Sequence, residues 1–592
     1  MELTTRDYRL IREAVYRHFT IEQIEEEALL DRPVDAAFRR ELADIDLRFF
    51  CRFYLPHHFT AIPSQMHEDA FDMIEAMMGA EGRENAAIVM PRGHAKTTIA
   101  TLGFPAWCVC TGKRRHILIL SDTEPQAKEQ LGTLKFELES NDRIKEDFGD
   151  LKGPKWQEAI IETSNTIRIA GLGAGMKVRG RKFHQWRPDL IILDDIEDLQ
   201  SVQSDLQRER LATWFKRSVV RAGWRDTKIL MVGNFLHYGC LLKEVADNPM
   251  FRSVIYKAIQ EWPERMDLWE GEWRSILTDL TLSKEGRASG ARKFYEQNRA
   301  EMDKGAVVNW PDGFPLYDLM AIRVSEGEAA FSMELQNDPI DPSKALFKAI
   351  KYYRSYWADN DVWLEPLTGA PAVALKSCRM FGFTDPSMGS TAQGDFSAIL
   401  VGAVSPVGQI FILEADLQRR TPDSIMADQI TWHRQYRFVR YGIEKNSFQA
   451  LFATESARRS LEAEDPIPII PVQQTANKVM RIQSLEPDLT NGYILLNVRG
   501  QELLKKQLLE FPLSSFDDGP DALEGLRTLA RMYQMIQSAE VVQSDAHQFG
   551  KVASAPGAHR TSEKDPYEVY EEAFREETGK EESEVFVPQM FA

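Results

Sequence analysis

The chain has 592 residues, with 72 Lys+Arg against 90 Asp+Glu, a formal charge of −18; 43% of its residues are hydrophobic and 27% are charged. That composition excludes collagenous, low-complexity and wholly disordered classes, and at roughly 150 residues per domain the length implies about three or four folding units. The acidic balance counts against a nucleic-acid partner unless cations are concentrated locally, because phosphate binding rests on Lys and Arg.

Residues 1–50 read as a charged, helical segment that includes Glu22, Glu25, Glu26 and Glu27. From 51 to 255 apolar runs alternate with helical patterns: Ala86-Ala-Ile-Val-Met90, His116-Ile-Leu-Ile-Leu120, Thr166-Ile-Arg-Ile-Ala170, Leu190-Ile-Ile-Leu193 and Lys228-Ile-Leu-Met-Val232. Continuous apolar strands separated by helices predict a parallel sheet covered on both faces. Residues 256–350, richer in helix formers and carrying Trp262, Trp269 and Trp273, read as a linker or lid subdomain. A second α/β pattern occupies 351–545, with Met380-Phe-Gly-Phe-Thr384, Ala398-Ile-Leu-Val401 and Gln409-Ile-Phe-Ile-Leu413 as successive strands and Val439-Arg-Tyr-Gly-Ile443 after a helix. The remainder, 546–592, is an acidic tail: Glu563 to Glu584 holds ten acidic and three basic residues, a local charge of 3 − 10 = −7, and it is expected to be mobile or to fold on a partner. The five cysteines follow no repeating spacing, and Cys108-Val-Cys110 has no matching pair. Buried thiols in a reducing compartment are expected, not a disulfide framework or zinc. The first residues carry no apolar signal, and no window approaches the roughly 18 apolar residues of a membrane span. A soluble, intracellular protein is expected.

Met90-Pro-Arg-Gly-His-Ala-Lys-Thr-Thr98 lies between a strand and a helical run, where a phosphate-binding loop belongs. In such a loop the backbone amides of Arg92, Gly93, His94, Ala95 and Thr98 would cradle phosphate oxygens. Lys96 would meet the β/γ-phosphates, and the Thr97 hydroxyl would bind Mg²⁺. The pattern G-x-x-x-x-G-K-[ST] is departed from at both glycines, which are Met90 and Ala95. Pro188-Asp-Leu-Ile-Ile-Leu-Asp-Asp195 runs four apolar residues into two carboxylates, as in a Walker B strand. Asp194 then supports the metal, and either Asp195 or Glu197 orients the attacking water. Gly233 and Asn234, in Met231-Val-Gly-Asn-Phe235, are placed to sense the γ-phosphate and couple hydrolysis to movement. The charge objection is met locally: Thr163 to Pro188 holds Arg168, Lys177, Arg179, Arg181, Lys182 and Arg187 and no acid. This glycine-rich stretch could contact the phosphates of DNA or of a neighbouring subunit's nucleotide, or be a solvated basic loop.

A second set of acids ends the strands of the C-terminal half. Asp385 closes Phe381-Gly-Phe-Thr-Asp385, Glu444 closes Arg440-Tyr-Gly-Ile-Glu444, and Phe516-Asp-Asp-Gly-Pro-Asp521 opens a helix. Asp518 and Asp521, three apart, would share a helical face, although Asp517 or Asp518 could be only a helix cap. Asp395 is placed near this site but not as a ligand. Two strand-end acids and a helix-borne acid are how a ribonuclease H-like fold gathers Mg²⁺ or Mn²⁺, with two ions clamping the attacking and leaving oxygens of a phosphodiester.

Across roughly 50 to 535 the chain resembles the large terminase subunit of tailed bacteriophages and prophages. The residues that carry the resemblance are Pro91-Arg-Gly-His-Ala-Lys-Thr97, Leu190-Ile-Ile-Leu-Asp-Asp195, Gly233-Asn-Phe235, Phe331-Ser-Met-Glu-Leu-Gln-Asn-Asp-Pro339, Asp385, Glu444 and Asp517-Asp-Gly-Pro-Asp-Ala522. The resemblance implies an α/β protein: a P-loop motor ATPase of the additional-strand type, followed by a ribonuclease H-like endonuclease. It implies ATP with Mg²⁺, double-stranded DNA, a small terminase subunit, the portal of a procapsid, a homo-oligomeric ring and the host cytoplasm. Arg92 and Arg179 become candidates for the arginine that stabilises the transition state. A repair helicase-nuclease and a non-catalytic assembly scaffold are the competing readings.

Overall fold

Eight strands form the N-terminal sheet: β1 (Asn85–Val89), β2 (His116–Ser121), β3 (Lys152–Trp156), β4 (Ile160–Thr163), β5 (Arg168–Gly173), β6 (Leu190–Asp194), β7 (Lys228–Gly233) and β8 (Phe251–Ile255). Their order is β3-β4-β5-β2-β6-β7-β1-β8. Every residue of β1, β2, β6 and β7 is buried, as runs covered by helices on both faces must be. All pairs from β5 to β8 are parallel, and only the β3–β4–β5 edge is antiparallel. One strand, β7, separates the strand before the P-loop from the strand ending in Asp194. This is the additional-strand arrangement of P-loop ATPases. The computed structural model describes residues 3–339, 346–347, 349–386, 396–444, 449–472, 477–514 and 516–549.

The charged N-terminal segment does not stand apart from this sheet. Its helices bury an apolar stripe (Leu10, Ile11, Ala14, Val15, Phe38, Leu42) in the same core as Ile117, Ile119 and Ile192 of β2 and β6. Helix Leu47–Tyr54 is buried at seven positions and runs across the expected 50/51 boundary. The reason is amphipathicity: the glutamates lie on the solvent side of helices whose other face has nowhere else to be buried.

Strands β9 (Ile259–Glu261) and β10 (Val307–Val308) pair antiparallel beneath helices Lys284–Met302, Leu316–Glu326 and Glu328–Glu334. Trp269 and Trp273, in edge-to-face contact, centre the core of this subdomain with Tyr295 and Tyr317.

The second sheet holds β11 (Tyr352–Ala358), β12 (Asp361–Pro366), β13 (Val373–Ala374), β14 (Arg379–Asp385), β15 (Ser397–Val404), β16 (Ile410–Gln418), β17 (Arg440–Glu444), β18 (Ile469–Val472) and β19 (Ile494–Asn497). Its order is β13-β12-β11-β19-β16-β15-β14-β17-β18. Within it, β14, β15 and β16 form an antiparallel meander, while β17 joins β14 and β18 joins β17 in parallel. That is the five-stranded ribonuclease H-like core, here extended at one edge by β19, β11, β12 and β13. The chain divides into two compact units, Met1–Arg531, which holds both sheets, and Met532–Ala592, of which residues 532–549 are described and helical. The acidic tail from Glu563 to Glu584 lies outside the described residues.

Candidate functional sites

The first site forms where β1, β6 and β7 end. The loop after β1 turns through two left-handed residues, Gly93 (φ 76°) and Ala95 (φ 57°), before the helix starts at Lys96. Gly93 is required there, since a Cβ would stand 2.8 Å from the ring of Phe314. Ala95 holds a backbone conformation that glycine adopts without cost and alanine does not. Lys96 is buried and reaches over the strand ends, with Nζ 3.5 Å from Asp195 Oδ2. The Thr97 hydroxyl donates to Asp194 Oδ1 at 3.2 Å, and Gln130 Nε2 donates to Asp194 Oδ2 at 2.8 Å. Gln130 is itself held by the Ser121 hydroxyl at 2.7 Å. Burial, reinforced by the neighbouring Asp195, pushes the Asp194 carboxyl up to about 7 against the pull of Lys96, Thr97 and Gln130.

Between the two candidates for orienting water, the surroundings differ. Glu197 is half-buried, and its oxygens accept the N–H groups of Leu241 (2.8 Å) and Leu242 (3.1 Å), which start helix Leu241–Ala246. Both oxygens serve as that helix's cap. Asp195, at φ 42°, has its carboxylate beside Lys96 and 3.2 Å from where a Cβ on Gly233 would lie. Gly233 therefore leaves room for the Asp195 carboxylate.

The linker subdomain closes over this loop through residues that motif reading left without a role. Glu334 accepts the backbone N–H of Arg92 with its carbonyl (2.9 Å) and pairs with the Arg92 guanidinium through Oε1 (3.2 Å). Its Oε2 accepts Asn234 Nδ2 (3.0 Å). Asn337 Oδ1 accepts the N–H of Phe235 at 3.0 Å. One carboxylate thus joins the P-loop arginine to the asparagine after β7. His94 stacks on Phe314 with ring centroids 4.6 Å apart, and burial lowers its pKa to about 4, so the ring is neutral. Arg179 lies exposed on the loop between β5 and β6, and among the described residues no hydrogen bond or ion pair holds it. Of the other cations there, Arg168 is turned inward onto Glu162 and over the ring of Phe183, while Lys177 and Lys182 are exposed.

The second site lies at the matching end of the other sheet. Thr384 pairs with Ile443 in the β14–β17 register, so the next residues, Asp385 and Glu444, stand side by side. Helix Asp518–Phe549 adds Asp521, and one ligand atom from each of the three acids lies within 4.8 Å of the others. The helix approaches this closely because Gly525, one turn on, has no side chain: a Cβ would meet the Phe383 ring at 2.1 Å. Burial, then the charges of Glu444 and Asp521, drive the Asp385 carboxyl well above its ordinary range. Asp521 is shared with two cations of helix Lys478–Gln483: Arg481 Nη1 is 2.8 Å from Oδ1 and Lys478 Nζ is 3.4 Å from Oδ2. Lys478 also pairs with Asp517 at 2.7 Å. Asp518 lies in the same helical turn but outside the triad, where Oδ2 accepts the N–H of Phe396 at 3.2 Å. Asp395 lies outside the described residues.

No protein-family model and no curated protein matches the chain. Among solved structures it is similar to the large terminase of bacteriophage HK97, at 12% identity and TM-score 0.30 over 82% of this chain and 99% of that one. It is also similar to the large terminase of a thermophilic bacteriophage, at 9% identity and TM-score 0.39 over 77% of this chain and 97% of that one. The Thermus thermophilus RuvC, in complex with a Holliday junction substrate, is similar at 14% identity and TM-score 0.18 over 26% of this chain and 96% of that one. The fold assignment rests on strand order and register.

Proposed function

We propose that the chain is the large subunit of a terminase: an ATP-driven motor that moves double-stranded DNA into a procapsid and cuts concatemeric DNA with a metal-dependent nuclease. The observation that supports this most is the presence, in one compact unit, of an additional-strand P-loop site and a ribonuclease H-like carboxylate triad. A motor that must also terminate its own DNA needs both chemistries on one polypeptide.

In the ATPase half, Lys96 neutralises the β/γ-phosphates and Asp195 orients the attacking water. Thr97 and Asp194, a hydroxyl and a carboxylate on one pocket wall, fit Mg²⁺, a hard cation that prefers oxygen and keeps several waters. Bound there, the ion would neutralise developing phosphate charge. Glu334 pairs with Arg92 while Asn234 shares the same carboxylate. Nucleotide that takes Arg92 from Glu334 would change the carboxylate that Asn234 shares, which links occupancy to the linker subdomain. Arg179, exposed on its loop, is available to a neighbouring subunit in a ring.

In the nuclease half, the all-carboxylate donor set of Asp385, Glu444 and Asp521 fits Mg²⁺ or Mn²⁺. Such ions would stabilise the attacking and leaving oxygens of a phosphodiester. Lys478 and Arg481 hold Asp521 in place and offset part of the acids' charge. The small terminase subunit, the portal and the host cytoplasm belong to the same proposal. DNA engagement through Lys177, Arg179 and Lys182 would be salt-sensitive.

Displacement of a triplex-forming strand from double-stranded DNA tests the reading. ATP-dependent displacement, with a forked duplex left unseparated, is expected. Separation of the fork would identify a helicase instead, and no DNA-stimulated ATP turnover would leave only a scaffold.

A further inference from the structure

A third group of metal-ligating side chains stands apart from both sites. Pro56, His57 and His58 follow helix Leu47–Tyr54 in a turn closed by the His58 N–H on the Leu55 carbonyl at 3.0 Å. The turn brings the two consecutive imidazoles together, with centroids 4.5 Å apart. Both Nε2 atoms approach a single oxygen, Glu137 Oε1, at 2.8 Å for His57 and 3.2 Å for His58. One ligand atom from each of the three residues lies within 4.8 Å of the others.

The carboxylate they meet is built in. The Glu137 side chain is 2% exposed, and its second oxygen accepts Asn141 Nδ2 at 2.8 Å. That amide also donates to the Tyr54 carbonyl at 2.7 Å, so it ties the carboxylate to the end of the helix that carries the histidines. An outer partner that fixes the free oxygen of a ligating carboxylate is a recurring part of metal sites. On the other side, the His57 side chain is 54% exposed, which leaves a face open to water.

We infer that His57, His58 and Glu137 bind a divalent transition cation of the zinc class, with the fourth position open to solvent. Two imidazoles and one carboxylate suit zinc and its neighbours, whereas Mg²⁺ and Ca²⁺ select oxygen. Zinc bonds of about 2.0–2.2 Å in a tetrahedron place ligand atoms about 3.3–3.6 Å apart, so the observed 2.8 and 3.2 Å need outward shifts of less than about 1 Å. The ion would join the N-terminal segment to helix Glu124–Ser140, which two turns earlier carries Gln130, the partner of Asp194. The site would thus brace the helix that holds the Walker B carboxylate.

Cobalt(II), added to the full chain, reads this site directly through the visible absorption of a tetrahedral complex. A band is expected that zinc displaces, that persists in Asp385→Asn, and that is lost in both His57→Gln/His58→Gln and Glu137→Gln. Zinc should also raise the melting temperature of Asp385→Asn, and that rise should be lost when His57→Gln/His58→Gln or Glu137→Gln is added to it. Glu137→Gln preserves side-chain shape and keeps one acceptor oxygen for Asn141, so it remains a test even if the double variant folds poorly. Absence of the band in the parent chain, its survival in Glu137→Gln, or its loss in Asp385→Asn would overturn the assignment and leave a hydrogen-bonded trio.

Discussion

Asp194 at the end of β6 and Asp385 at the end of β14 occupy equivalent places in their sheets, yet their surroundings treat them differently. Asp194 meets a hydroxyl, an amide and a nearby ammonium, which offset the neighbouring Asp195 carboxylate. Asp385 faces two more carboxylates, and the cations in contact pair with Asp521, with Lys478 acting on Asp385 only at a distance. The first site is held in shape by the chain's own donors before any ligand arrives. In the second, the chain has brought repelling acids together, an arrangement that costs stability until divalent cations compensate it.

Neutralising one acid in each site separates the two most strongly. Asp385→Asn should reduce metal-dependent nicking by at least about 100-fold while raising the melting temperature of the metal-free protein, because a repulsion is removed. Asp194→Asn should lower Mg²⁺-nucleotide affinity with a smaller gain, because Lys96, Thr97 and Gln130 already offset its charge; nicking assays and calorimetry measure both. An equal rise in stability for both variants would show that the two environments are alike.

Next in size is the latch on Glu334. Glu334→Ala releases both Arg92 and Asn234, and it should change DNA-stimulated ATP turnover by about tenfold, the range expected for coupling energies of 0.5–2 kcal/mol. Basal nucleotide binding should change little, which equilibrium titration with a fluorescent analogue would check. A smaller effect follows from Asp194, whose carboxyl titrates near 7 when no metal is bound. A raised carboxyl pKa means the proton is held more tightly, and a metal must displace it. Mg²⁺-nucleotide binding should therefore release a proton below about pH 7 and weaken progressively as the pH falls further, measured by calorimetry in buffers of different ionisation heat. The smallest change is Ala95→Gly, which relieves a left-handed alanine and should stabilise the fold by about 1 kcal/mol in thermal unfolding.

Much of this was legible in the sequence where local pattern decides structure. Apolar runs ending in Asp194, Asp385 and Glu444 became strands ending in those acids, because covered strands must be continuously apolar and the first polar residue marks the rim. The choice between Asp518 and Asp521 was not legible: both lie in one helical turn, and Gly525 against Phe383 sets which of them faces the strands. Asp195 and Glu197 are likewise two residues apart, and only the helix start at Leu241 shows that Glu197 is consumed as a cap. Gln130, Glu334, Lys478 and Arg481 reach the sites from segments remote in sequence, so spacing carries no trace of them. Glu334 sat in plain view within Phe331–Pro339, but its role exists only once the linker subdomain folds back on the P-loop.

Two sites with separate chemistries are expected to work independently on this one polypeptide. Lys96→Ala and Asp385→Ala, each purified as the full chain and assayed for ATP hydrolysis and for metal-dependent nicking in the same preparation, test it most directly. Lys96→Ala should lose hydrolysis and retain nicking without nucleotide, and Asp385→Ala should lose nicking and retain hydrolysis. If either variant kept the activity assigned to its own site, that assignment would be contradicted.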